Sequence, residues 1–265
     1  MPFVIHDTTG NDLLFPTSFG RGYEERDYAR YPAEMLAAPT QIQKIDRSEW
    51  SARIKERKQL GVGLRFVRER MNDGRPHVSL DQNGQGYCWS YSGAHAVMYS
   101  RAAAGMPYRR LSAHAVACVI KGFRDEGGWC GLSAEKYAKD GCPTVQDWPE
   151  KSMSRSYNTA AVWEVAKLNR VADQVVDLTR AVYDRNLSFD LVVSLLLVNV
   201  PVQIDLNWWS HSVCAIDVDE VEPGSFGIVI QNSWTDAWGD RGLGTLQGNR
   251  AIPDGAVATT SVVAA

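Results

Sequence analysis

The spacing of apolar positions divides the chain near residue 200. Before that point hydrophobic residues recur every three or four positions; beyond it they alternate with polar ones. The first 45 residues show neither period. They are rich in charge and turn formers, notably Gly20-Arg21-Gly22, and read as an extended arm with one short helix near residues 32–38. Asp46-Arg47-Ser48-Glu49 is a helix-start signal, a capping carboxylate with an acid three residues on. Trp50, Ile54 and Leu60 then form a helical stripe stopped by Gly61 and Gly63. Residues 64–71 fit a strand or a further helical turn, and Asn72-Asp73-Gly74-Arg75-Pro76 is a turn. The best-supported helix runs over 88–104. Ser112 leads another over 114–120. Further helices are expected over 132–139, near 160–166 and over 189–198, the last stopped by Asn199-Val200-Pro201. Alternating strands follow at 202–206, 212–218, 227–231 and 243–246, and a small-residue tail at 256–265. Helices first and strands second argue for an α+β fold, with a helical half and a sheet or barrel half. Ligand sites favour the cleft between such halves.

Composition narrows this picture. A chain of 265 residues can bury one large core or the cores of two lobes. A net charge of −3 gives no reason to expect a nucleic-acid or membrane surface. The longest apolar run, residues 191–200, is broken by Ser194 and Asn199 and is too short to span a bilayer. The first residues lack a basic segment followed by an apolar one, so no secretory signal is expected and an intracellular, cytoplasm-like setting is. Five cysteines cannot all pair, and none forms a C-x-x-C, which argues against zinc and dithiol chemistry. No metal or cofactor is expected.

Within Gln82-Asn83-Gly84-Gln85-Gly86-Tyr87-Cys88-Trp89, a glycine-rich turn opens a helix with a thiol in its first turn. Unpaired N–H groups there lower a thiol pKa and favour thiolate. A buried apolar cysteine is the plain alternative. A thiolate enzyme also needs a base, a group that orients the base, and an oxyanion donor. His211 follows Trp208-Trp209-Ser210 and leads into an alternating strand; a structural hydrogen bond is its ordinary alternative. Asn232, in Gln231-Asn232-Ser233-Trp234, sits at a strand end, where its side chain could hold one imidazole nitrogen and leave the other facing sulfur. A hairpin with a buried tryptophan explains the same residues.

Together these blocks resemble the papain-like cysteine proteases. Gln82 with Gly86-Tyr87-Cys88-Trp89 is similar to the family's active-site motif. Ser210-His211-Ser212-Val213 and Asn232-Ser233-Trp234 with Trp238-Gly239 are similar to its histidine and asparagine blocks, in the family's order. Gly127-Gly128, followed by Gly141, resembles its substrate-binding glycine pair. The resemblance covers roughly residues 76–250. It implies a two-lobed α+β fold, with a helical left lobe, an antiparallel sheet or barrel right lobe and the site in the cleft. It also implies Cys88 as nucleophile, His211 as acid and base, Asn232 as its orienter, and Gln82 with the Cys88 N–H as oxyanion donors. Gly127 and Gly128 would pair with substrate backbone. Trp129, Cys130 and Ser210 would surround the pocket for the second residue before the cut, and Trp234 and Trp238 the leaving-group side. The implied reaction is peptide hydrolysis through a thioester, on a peptide or protein substrate, without cofactor.

The chain departs from the family pattern at named positions. Gln85 and Asp125 stand where the family has a bridged cysteine pair, Thr235 where it has glycine, and Tyr87 where a small residue is usual, so a ring is expected to crowd the sulfur. Cys130 and Cys142 flank a helix that holds them beyond disulfide reach. The expected organisation is an arm over 1–75, a catalytic domain over 76–255 and the tail. The arm reads as a divergent pro-segment, an integral arm or a docking element with assembly contacts. The alternatives to a peptidase are a structural or interaction module of this fold, and a related thiol acyltransferase or amidase.

Overall fold

The computed structural model describes residues 3–10, 19–171, 174–179 and 185–259. Residues 11–18 of the arm and 260–265 of the expected tail lie outside them. The helices are α1 (Arg47–Leu60), α2 (Leu64–Arg68), α3 (Cys88–Ala103), α4 (Ala113–Ile120), α5 (Cys130–Lys139), α6 (Ala160–Ala166) and α7 (Arg185–Leu197). The strands are β1 (Val4–Ile5), β2 (Val175–Asp177), β3 (Val202–Leu206), β4 (His211–Glu222), β5 (Ser225–Gln231), β6 (Leu243–Leu246) and β7 (Gly255–Thr259). They form one seven-stranded sheet in the order β1-β6-β5-β4-β3-β7-β2. Every pairing is antiparallel except β1 with β6.

The period-two pattern explains why two cores share this sheet. On β3 and β4, Val202, Ile204, Leu206, Val213 and Ala215 face a core built with α7 and with Trp50 and Ile54 of α1. Cys214 and Ile216, with Val229 of β5, face a second core around α3. α3 is buried on almost every side, which its small residues permit: a Cβ on Gly93 would meet the Tyr137 ring at 2.3 Å. Successive residues of the central strands therefore serve different lobes.

The arm's helix begins as the sequence predicts, with Asp46 accepting from the Ser48 N–H at 2.9 Å. Glu49 does not complete the reciprocal box and instead pairs with Arg53 at 2.8 Å. Gly61 ends the helix at φ 61, a left-handed conformation that glycine takes without strain. Residues 64–68 resolve as helix. Ser112 stands at the start of α4, but its hydroxyl makes no capping bond.

The segment expected as tail is different. Gly255–Thr259 is a strand inserted between β3 and β2, with Val202 opposite Ala258. Small residues read as low complexity in sequence, but Ala256, Val257 and Ala258 suit a strand packed on both faces. β2 and β1 were also invisible as periodic segments, because two or three residues carry no period.

Trp50 is fully buried against Phe226, with ring centroids 5.1 Å apart, and against Phe189 at 6.0 Å. α1 is thereby part of the right-lobe core. Trp50→Ala is expected to lower unfolding stability by about 3–5 kcal/mol, read from the urea midpoint. A loss under about 1 kcal/mol would mean that α1 packs as a detachable segment.

Candidate active site

Cys88 opens α3 and His211 opens β4, while Asn232 follows the end of β5. Asn232 meets His211 directly, and Cys88 lies against Ser212, the next residue of β4, because α3 packs on the face of the sheet that carries Cys214 and Ile216. Asn232 Oδ1 lies 2.8 Å from His211 Nε2 and accepts the Ser233 N–H at 2.8 Å. The Ser233 N–H can only donate, so the oxygen end of the amide must face it. His211 Nε2 therefore carries the proton, and Nδ1 is left as the basic nitrogen. Nδ1 is buried and has no hydrogen-bond partner among the described residues. Trp234 stacks on the imidazole at 4.5 Å and Trp209 meets its edge at 5.0 Å, sealing the His211–Asn232 bond from water.

Gln82 belongs to the same network. Its Oε1 accepts from Ser233 Oγ at 2.6 Å, and its backbone N–H donates to the Ser233 carbonyl at 3.0 Å. This leaves the Gln82 amide N–H groups to donate elsewhere: to the Gln85 carbonyl at 2.7 Å and to the Gly20 carbonyl at 2.8 Å.

Gly20 belongs to the arm, which threads the cleft. Its carbonyl also accepts from Trp234 Nε1 at 3.1 Å. The Gly22 N–H points at Cys88 Sγ, 3.3 Å away. Gly128 donates to the Gly22 carbonyl at 2.8 Å and accepts from the Glu24 N–H at 2.9 Å, while the Tyr23 N–H donates to the Ser210 carbonyl at 3.3 Å. Tyr23 and Gly128 form a parallel bridge. The arm comes this close only because it is glycine at alternate positions. A Cβ on Gly20 would meet the Gln85 carbonyl at 2.3 Å, and one on Gly22 the Gly86 carbonyl at 2.0 Å.

The remaining expected residues divide into two groups. Gly127 lies against the Glu24 side chain, where a Cβ would come within 2.7 Å, and Trp129 lies under the Arg26 guanidinium at 4.4 Å. Cys130 and Trp238 stand behind the groove wall: Cys130 Sγ is 3.3 Å from Ser92 Oγ, and Trp238 packs on Trp234 and Phe3. Tyr87 does not crowd the sulfur. Its ring turns into the helical core, where the hydroxyl donates to the Arg124 carbonyl at 2.8 Å. Gln85 and Asp125 do not meet as a substitute bridge. Asp125 accepts from the Gly86 N–H at 2.8 Å, and Gln85 bonds His114. All five cysteines are free thiols. Among the described residues no cluster of histidine, cysteine or acid could hold a metal.

Sequence reasoning missed Asp205. Although it holds a polar position of the alternating β3, its carboxylate is buried, accepting from Ser212 Oγ at 2.5 Å and the Cys130 N–H at 3.1 Å. Burial pushes this carboxyl up to about 6, against the hydrogen bonds from Cys130 and Ser212. Burial likewise pushes the Cys88 thiol up to about 11, against bonds from Ser212 and Gly22, and pushes His211 down to about 3, against its bond to Asn232. At neutral pH with the arm seated, both members of the pair are uncharged.

No family model and no curated protein matches the chain. Solved structures do. A cysteine protease of Xylella fastidiosa, xylellain, superposes with a TM-score of 0.59 at 14% identity, covering 93% of this chain and 97% of that one. Digestive procathepsin L2 from the Tenebrio molitor larval midgut gives 0.61 at 15%, covering 99% and 85%. The ragweed pollen allergen Amb a 11, a cysteine protease in its proform, gives 0.53 at 15%, covering 71% and 63%.

The thiol environment predicts a pH profile. Only thiolate is alkylated, so raising the Cys88 pKa moves the alkylation curve to higher pH. In the intact chain, iodoacetamide modification of Cys88, followed by peptide mass mapping, is expected to rise through a midpoint near 11. A midpoint at or below about 8.5, the value of a free thiol, would contradict the burial. Thr235 holds φ 62, in the left-handed region that a β-branched residue occupies at a cost. Thr235→Gly is expected to raise stability by about 1 kcal/mol in urea unfolding, and a loss would show that its side-chain contacts outweigh the strain.

The chain has the two-lobed papain-like cysteine protease fold.

Proposed function

We propose that the chain is a cysteine-type peptidase, and that residues 19–26 hold it in a self-blocked state. The observation that carries this reading is the arm itself. The groove that contains Cys88 and Gln82 already binds extended peptide backbone, through Gly128, Ser210 and Gln82. A site for a non-peptide acyl group or amide would have no need of that ladder of backbone bonds.

The chemistry follows from the tautomer. Nδ1 of His211 takes the Cys88 proton, giving a thiolate and an imidazolium whose Nε2–H stays on Asn232. The sulfur attacks the peptide carbonyl carbon, and the C=O pair moves onto oxygen. That oxyanion takes hydrogen bonds from Gln82 Nε2 and the first N–H of α3. The imidazolium gives its proton to the leaving amine as the C–N bond breaks, and a thioester remains. Water then attacks it, with His211 Nδ1 taking its proton. The acid leaves, and the thiol is restored.

The arm is not poised as a substrate. The group facing Cys88 Sγ is the N–H of Gly22, a donor, whereas attack requires an electrophilic carbonyl carbon there. The Gly20 carbonyl meanwhile occupies the Gln82 donor. In this reading residues 19–26 act as a built-in inhibitor, while α1 belongs to the catalytic body.

Gly22→Leu tests both parts. Its Cβ cannot fit beside the Gly86 carbonyl, so the arm must leave the groove. Labelling of Cys88 by a peptidyl epoxide at neutral pH is expected to quicken at least about tenfold, because the competent fraction rises. Hydrolysis of fluorogenic peptides should rise with it and vanish on adding Cys88→Ala. Unchanged labelling would remove the inhibitory role. Fast labelling without hydrolysis of any peptide would favour the non-peptidase alternatives.

A further inference from the structure

Where Tyr23 pairs with Gly128, its side chain leaves the groove for a pocket between Trp129, Asp205, Asp254 and Val257. Beside the tyrosine a cavity of about 40 Å³ remains. We propose that this pocket selects a cationic side chain, and that Asp205 is its specificity-determining residue, supported by Asp254. The proposal rests on the peptidase reading and names its substrate class: peptides carrying lysine or arginine at the residue that pairs with Gly128.

Three independent observations converge here. First, the carboxylate of Asp205 is 2% exposed, and both its oxygens are held by neutral donors, Ser212 Oγ and the Cys130 N–H. Among the described residues it makes no salt bridge. A buried carboxylate without a counter-charge is costly, and a cation entering the pocket supplies one. Second, Asp254 stands at the same cavity. It is partly engaged, accepting from the Asn207 N–H at 2.7 Å and pairing with the exposed Arg185 at 3.0 Å, so it reinforces the negative potential without dominating it. Third, the arm itself places a guanidinium on this wall. Arg26 lies over the Trp129 ring at 4.4 Å and bonds Asp177 at 2.7 Å, and it too lines the cavity. That part of the wall thus joins an aromatic face and the Asp177 carboxylate around one guanidinium, and Asp205 adds a second carboxylate to the same cavity.

Tyr23 fits the blocking role. A phenol lines the cavity and brings no charge, so it stands beside Asp205 without supplying a counter-charge. Burial first, and then the Asp205 and Asp254 charges, resist ionisation of that phenol, which holds its proton more tightly than an ordinary tyrosine. A lysine or arginine, once the arm has moved, gains an interaction that the arm does not make.

The test uses the full chain carrying Gly22→Leu and fluorogenic dipeptides that differ only at the residue before the cut-side residue: arginine, lysine, leucine, phenylalanine or glutamate. Arginine or lysine is expected to exceed leucine by at least about tenfold in kcat/KM. Asp205→Asn, which keeps an acceptor for the Cys130 N–H, should bring that ratio towards one, through a larger loss on the arginine and lysine substrates than on leucine. Asp254→Asn should lower it less. A preference for leucine or phenylalanine, or an equal loss on both substrates in Asp205→Asn, would overturn the proposal. The unmodified chain provides a second readout that needs neither the arm variant nor turnover: Cys88 labelling by peptidyl chloromethyl ketones with lysine or leucine at that position, followed by intact mass. Faster labelling by the lysine reagent supports the pocket, even if no peptide is hydrolysed and the peptidase reading fails. Equal rates or a leucine advantage would overturn it.

Discussion

Every part of the cleft hangs on one hydrogen-bonded relay, Gln82 to Ser233 to Asn232 to His211. Ser233 gives its hydroxyl to Gln82 Oε1 and its N–H to Asn232 Oδ1, and the same oxygen takes Nε2–H of His211. One serine therefore fixes two amide orientations. Gln82 is left with its N–H groups towards the groove, and His211 with a bare Nδ1. The relay joins the turn before α3 to the strand end after β5, so it spans the two cores that share the sheet. Its bonds lie under Trp209 and Trp234, where exclusion of water strengthens them.

Occupation of the groove by the arm sets the electrostatic state of this relay. Burial disfavours charge on Cys88 and on His211 alike, so the seated arm keeps the pair neutral. The same stretch takes the donor of Gln82 and places an N–H on the sulfur. Access to Cys88, its ionisation and the amide donor of Gln82 all depend on a few residues of extended chain. Residues 19–26 are held by hydrogen bonds of their backbone, by the Arg26–Asp177 ion pair at 2.7 Å with Arg26 over Trp129, and by an aromatic stack of Phe19 on Trp234 at 4.9 Å.

Asp205 shows how a local pattern and a tertiary environment can disagree. On β3 the alternation of Val202, Ile204 and Leu206 against Gln203 and Asp205 looks like a strand with one wet face. Both polar residues are instead buried, Gln203 against Ser133 of α5 and Asp205 against its first residue, Cys130. The polar face of the strand became the inner wall of the cleft. Its acid survives there because the start of a helix and a neighbouring serine provide donors.

The sequence by itself determined the order of helices and strands, the thiol at the start of α3, and the placing of His211 and Asn232 at strand ends. Those features are written in local periodicity, in glycine and proline stops, and in residue types at short spacing. Only the tertiary structure decided that Gly20 and Gly22 lie against Gly86 and Cys88, that a small-residue segment becomes β7 between β3 and the edge strand β2, that Tyr87 turns away from the sulfur, and that Asp205 faces the Tyr23 pocket. Each of these depends on pairing between segments far apart in the chain. A backbone hydrogen bond across such a distance leaves no period in either segment, so no local reading could place it.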